Sequence, residues 1–123
     1  MAKRTRAGDL TAKVTLQQPA LVPDGYGGQQ DGWEDVFTYP ARMMPLRGSE
    51  TVLASRLQGT QPHVCTIRAT PASRQVTPAW RAYDARRGLD GEGNPVRSYN
   101  ITAVTETEDR AWIEVLVTAG EPS

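Results

Sequence analysis

The chain has 123 residues, with 14 Lys and Arg set against 14 Asp and Glu, so the formal net charge is zero. That length fits one domain of ~100–150 residues, and the charge balance argues against a polybasic nucleic-acid binder, which needs surplus positive charge to displace counterions. A single cysteine excludes an intrachain disulfide, and no apolar run approaches the ~20 residues of a membrane helix.

The basic start, Met1 to Arg6, is followed by no hydrophobic stretch, so a reducing, cytosolic setting is expected rather than secretion. Residues 1–9 read as a loose polar arm. Ala12–Gln17 then alternates strictly, with Ala12, Val14 and Leu16 on one side and Lys13, Thr15 and Gln17 on the other, the period of a half-buried strand. Pro19 is expected to end it, because proline lacks a ladder donor. Residues 19–32 follow as a long loop with the turn dipeptides Asp24-Gly25 and Asp31-Gly32. A structureless stretch longer than ~12 residues is usually functional or disordered, so this is the first place to look for function.

Trp33 to Met44 reads as a second strand. Trp33, Phe37, Tyr39, Ala41 and Met43 share one parity, and Pro40 implies an edge or a bulge. Ser49 is placed to cap one short helix over residues 50–57, with Gly59 just past its end. His63 to Ala69 alternates again. Residues 76–88 are ambiguous: Thr77, Pro78 and Gly88 stand as cap, first turn and stop of a helix, while Trp80 and Ala82 against Arg81 and Tyr83 fit a strand. Residues 90–95 form a turn. Ser98 to Thr105 alternates with Tyr99, Ile101 and Ala103 on one face. Residues 106–110 make a polar turn, and Ala111 to Ala119, apolar on both faces, is expected to be a central strand. Residues 120–123 are a short tail. The expectation is a mainly β fold over 10–119: a small barrel or sandwich of six to seven strands with one short helix and a long Gly-rich loop.

Chemistry is sparse. His63 and Cys65 stand two apart on a strand and so face one side, which admits a Cys–His nucleophile pair, but a small core cysteine is the commoner meaning. The stretch Asp24-Gly25-Tyr26-Gly27-Gly28 lacks the ending of a P-loop and the acid density of a calcium loop. Arg81, Arg86 and Arg87 with Trp80 and Tyr83 offer a basic–aromatic patch for single-stranded nucleic acid, diluted by Asp84 and Asp90. No cofactor, metal or catalytic residue is expected. Near-zero charge and the preference for Arg over Lys fit an assembling protein.

The order of these features resembles the phage head–tail joining family, also called head closure or stopper proteins. Gly8-Asp9-Leu10 precedes Val14–Gln17 as the family's glycine-x-leucine precedes its first strand, and Asp24–Gly28 followed by Trp33 is similar to its loop and tryptophan. Ala41 with Pro45-Leu46-Arg47-Gly48-Ser49-Glu50 resembles its step into a helix. Ile67-Arg68, Val76-Thr77-Pro78 with Arg81, and Tyr99-Asn100-Ile101 continue the likeness. Pro40, where the family usually carries an aromatic, and a long tip at 88–95 depart from it. The resemblance implies that Trp80–Asp84 is a strand. It implies a non-enzymatic ring of about a dozen copies in cyclic symmetry. The ring would lie between a portal or head-completion adaptor above and a tail-terminator or tail protein below, with double-stranded DNA passing through unread. The implied location is the neck of a virion, with assembly in the host cytoplasm and no membrane contact. On this reading Asp24, Gly25, Tyr26, Gly27 and Gly28 form the channel or subunit-contact loop. Arg42, Arg47, Glu50, Arg56 and Arg68 are candidates for subunit pairing. Trp33 is assigned to the core. The alternatives are a tail-terminator or tail-completion protein, a small single-strand-binding barrel, and an esterase-like enzyme built on His63 and Cys65.

Overall fold

The computed structural model describes Gly8, residues 10–46 and residues 62–119. The helix expected over 50–57, most of the arm over 1–9 and the tail over 120–123 lie outside those residues. Six antiparallel strands close into a barrel in the order β1-β2-β3-β6-β5-β4. They are β1 (Ala12–Pro23), β2 (Gln29–Pro45), β3 (Pro62–Arg68), β4 (Arg81–Asp84), β5 (Ser98–Glu106) and β6 (Trp112–Ala119). The ambiguous segment thus resolves as a strand. A 3-10 turn, Ser73–Gln75, lies between β3 and β4.

The core is built from alternate positions of each strand. Val14 and Leu16 of β1, Ala41 of β2, Cys65 and Ile67 of β3, Ala82 of β4, Tyr99 and Ile101 of β5, and Ile113, Val115 and Val117 of β6 all point inward, joined by Val76 and Trp80. β6 sits between β3 and β5. On its outer side Trp112 is buried, with the Arg68 guanidinium stacked over its ring.

Two one-residue bulges correct the expected facing of side chains. Between β1 and β2, Leu16 stands opposite Phe37 and Gln17 opposite Asp35, so Val36 has no partner. An extra residue shifts the side-chain period by one and flips everything beyond it to the other face. Phe37, Tyr39 and Met43 therefore pack on the core, while Trp33 lies on the outer face at 37% exposure. The placement of Trp33 in the core is wrong for this reason. Between β5 and β6, Ile101 faces Val117 and Ala103 faces Leu116, which leaves Thr102 unpaired across the rung. The Thr102 hydroxyl donates to the Leu116 carbonyl at 3.0 Å. Ala103 turns outward and Val104 packs on the core in its place.

The third correction concerns residues 19–32. They are not a loop but the outer half of the β1–β2 hairpin, paired from Gln18↔Glu34 to Pro23↔Gln29. Pro19 does not end β1. The Asp24 N–H donates to the Gly28 carbonyl. Because hydrogen-bonded rungs alternate, Val22↔Gln30 and Ala20↔Gly32 carry the ladder bonds. Pro19 and Pro23 fall on the other rungs, where a missing N–H faces away from β2 and costs no ladder bond. β4 accompanies β1 only over Val14–Gln17. Six residues of β1 therefore run past the barrel wall with β2 alone, an arm of about 20 Å.

Candidate functional site

The arm ends in a tight five-residue tip. The Asp24 carboxylate accepts hydrogen bonds from the Tyr26 N–H at 2.8 Å and the Gly28 N–H at 3.1 Å. Gly25 and Gly27 hold φ of 85° and 86°, the left-handed region that glycine occupies without a Cβ penalty. This closure leaves Tyr26 94% exposed at the far end. Among the described residues nothing packs over the ring.

At its root the arm is tied to the barrel by a polar seam on the outer face. Gln17, only 7% exposed, donates from Nε2 to Asp35 Oδ1 and accepts at Oε1 from Arg81 Nε, both at 2.6 Å. The Arg81 guanidinium carbon stacks 4.6 Å from the Trp33 ring centroid. Burial pulls the Arg81 pKa below its ordinary value, and the neighbouring Asp35 and Tyr83 pull it back. Beside Gln17, Thr15 bonds Thr38 through their hydroxyls at 2.8 Å. Thr15 and Gln17 are thus buried on the side expected to face solvent, where their side chains are tied into these hydrogen bonds. Beyond the seam, an open cleft separates the arm from the β4–β5 tip and is lined by Val22, Trp33, Arg81, Leu89 and Asn94 among others. That tip is itself closed by Asp90, which accepts from the Glu92 and Asn94 N–H groups.

The candidate contact residues do not form one site. Asp24 to Gly28 are the arm's tip. Arg42 lies about 40 Å along β2 from them, opposite Thr66 on β3. Arg68 ends β3 with its guanidinium 5.1 Å from the Trp112 ring centroid. Arg47, Glu50 and Arg56 lie outside the described residues. The seam residues Gln17, Trp33, Asp35 and Arg81 share no sequence pattern that marks them as a group. Their signal is hidden in sequence by the Val36 bulge.

Two other constellations lose their basis. Cys65 is buried and its thiol is pushed up to about 12 by desolvation, which favours the protonated thiol of a core residue over a thiolate at neutral pH. Trp80 is in the core and Tyr83 is 7% exposed. Neither offers a face for base stacking, and Arg87 turns to Asp84 at 3.5 Å. Among the described residues no group of three or more His, Cys, Asp or Glu side chains is placed to hold a metal ion.

One charge pattern crosses the site. From Val14 to Ala41 the sequence has four carboxylates, Asp24, Asp31, Glu34 and Asp35, and no Lys or Arg. Lys3, Arg4 and Arg6 precede it. The zero total conceals this segregation.

The family model for phage head completion proteins matches residues 5–120. No curated protein sequence matches significantly. The fold is similar to that of protein SF1141 from Shigella flexneri 2a, known from a solution structure. That likeness has a TM-score of 0.62 and 21% identity, and it covers 97% of this chain and 100% of the other. It is also similar to a chain in the virion of a native gene transfer agent particle, with a TM-score of 0.55 and 20% identity over 90% of this chain and 94% of that one.

Proposed function

This chain belongs to the phage head completion protein family, and from that premise we propose that it is a structural connector at the head–tail joint of a tailed phage, a prophage or a gene transfer agent. Copies of the chain form a ring of about a dozen in cyclic symmetry. The ring seals the filled head beneath the portal or its adaptor and gives the tail a docking surface. It has no enzymatic role and no cofactor. The family match carries this reading, and the gene transfer agent chain of similar fold supports placement in a virion.

The physical features fit the task. A connector must surround DNA without gripping it. An arm with three carboxylates, a fourth at its root and no Lys or Arg of its own repels phosphates rather than condensing on them. The arm projects from a closed barrel, so it reaches the channel or a neighbouring subunit while the barrel keeps its shape. Tyr26 at its tip supplies a rigid aromatic anchor of the kind enriched at interfaces.

The test is a register-matched truncation. Residues 21–31 are replaced by Asn-Gly, a two-residue turn suited to the hydrogen-bonded rung Ala20↔Gly32. No core side chain is removed. The subunit is expected to stay folded while particles carrying it leak DNA or fail to join tails. Full, infectious particles with the truncated arm would remove the arm from the function.

A further inference from the structure

The arm has two backbone edges, and they are not equivalent. On β1, Pro19 and Pro23 occupy two of the three rungs whose N–H groups point away from β2, so that edge keeps only the Leu21 donor. On β2, the corresponding groups belong to Gln29, Asp31 and Trp33, and no proline intervenes before Pro40. β2 meets β3 only over Arg42–Pro45. Among the described residues no strand pairs with β2 from Gln29 to Thr38 on that side. The β1 edge of the arm thus lacks two of its three outward donors, while the β2 edge keeps all three.

The charges narrow the occupant. Asp31, Glu34 and Asp35 lie along the open edge. Pairing of this edge with the same edge of a second copy would set like charges against each other. Pairing with the β1 edge of a second copy meets the prolines. The chain holds one segment that is free of proline, too short of apolar residues to make a core of its own, and opposite in charge: residues 1–9, with Lys3, Arg4 and Arg6 and a single acid, Asp9. We propose that the open edge of β2 takes the basic N-terminal segment of a neighbouring copy as an added antiparallel strand. The proposal rests on the self-assembly reading above. It specifies how one subunit holds the next: backbone hydrogen bonds give the adhesion and the Lys/Arg-to-Asp/Glu matches set the register. Head-to-tail exchange of this kind is a heterologous contact and generates a ring when the rotation closes.

Geometry separates the neighbour's segment from the chain's own. The segment joins β1 at Ala12, which faces Ala41 at the barrel end of the arm. An antiparallel strand on β2 would have to finish near Gln29, more than ten rungs away. The two residues Leu10 and Thr11 cannot bridge that distance. A chain's own segment could reach the edge only in parallel, the weaker pairing.

The experiment uses two full-length variants. One carries Lys3→Glu, Arg4→Glu and Arg6→Glu; the other carries Asp31→Lys and Glu34→Lys. Each alone is expected to self-associate about tenfold or more weakly than wild type in sedimentation. Mixing the two is expected to restore association, with shifts at the Gln29, Asp31 and Trp33 amides when the first variant is the labelled one. Asp31→Pro, which copies the proline pattern of β1, is expected to block the edge, while Asp31→Asn largely spares it. Recovery only when both sets of changes share one chain would show the segment folding onto its own arm and would overturn the proposal. Association unchanged by any of these variants would overturn it too, as would wild-type edge amides unmoved up to about 1 mM. Wild-type-like rings from the charge variants would sink this inference alone, and absence of rings in wild-type particles would sink the connector reading.

Discussion

Gln17→Ala isolates the seam that holds the arm to the barrel. The side chain bridges Asp35 and Arg81 with two 2.6 Å hydrogen bonds, both to charged groups, from a position only 7% exposed. Bonds of that kind contribute about 1.5–3 kcal/mol each when no water replaces them. Here Asp35 is exposed and Arg81 half-buried, so solvent recovers part of the loss. The net cost is expected to be about 2 kcal/mol, read as a fall of about 8 °C in Tm by circular dichroism at pH 7. A double-mutant cycle with Arg81→Ala should give a coupling of about 1 kcal/mol, because one bond is shared. A loss under about 0.5 kcal/mol for Gln17→Ala, with no coupling, would mean that the seam is solvated surface and does not set the arm's direction.

The Cys65 thiol, raised to about 12 by burial, should resist alkylation at pH 8 in the native protein and react once it is denatured. Its folded pKa lies above the unfolded one, so its contribution to stability is complete in neutral solution and is lost as the pH climbs from about 9 toward 12. Glu106 is held below the usual carboxylate range chiefly by its hydrogen bond from Arg74, whose Nε lies 2.7 Å away. Arg74→Ala should move the Glu106 titration upward by NMR, with little change in Tm because the pair is exposed. Gly25→Ala and Gly27→Ala each force a side chain into the left-handed region and should loosen the tip, seen as faster amide exchange at Tyr26 with the barrel's melting unchanged.

The strands that alternate without interruption were legible from the residues alone. In Pro62–Arg68 and Trp112–Ala119 the apolar period meets a regular ladder, and Cys65, Ile67, Ile113, Val115 and Val117 fall inside as their spacing requires. The resemblance to head–tail joining proteins settled β4, whose Thr77, Pro78 and Gly88 favour a helix locally but whose Ala82 is needed by the barrel core. The failures share one cause. Val36 and Thr102 are ordinary strand residues, and only the partner strand reveals that each is one too many. A bulge therefore inverted the facing of Trp33 and of Ala103 with no mark in composition. Pro19 misled in a related way, because the meaning of a missing donor depends on which edge it faces. Residues 19–32 read as a loop because their pairing rungs carry no alternating apolar pattern, and the arm's root joins Gln17 and Arg81, 64 positions apart, which only the closed barrel brings together.

The connector reading is tested most directly by imaging tailless, DNA-filled heads from a particle that encodes this chain, with the portal vertex resolved by electron microscopy. The account expects one ring of this barrel beneath the portal, each arm reaching inward or onto the adjacent subunit, and heads that lose DNA when the chain is absent. A ring found instead on isolated tails, or filled heads that stay sealed without it, would contradict the account.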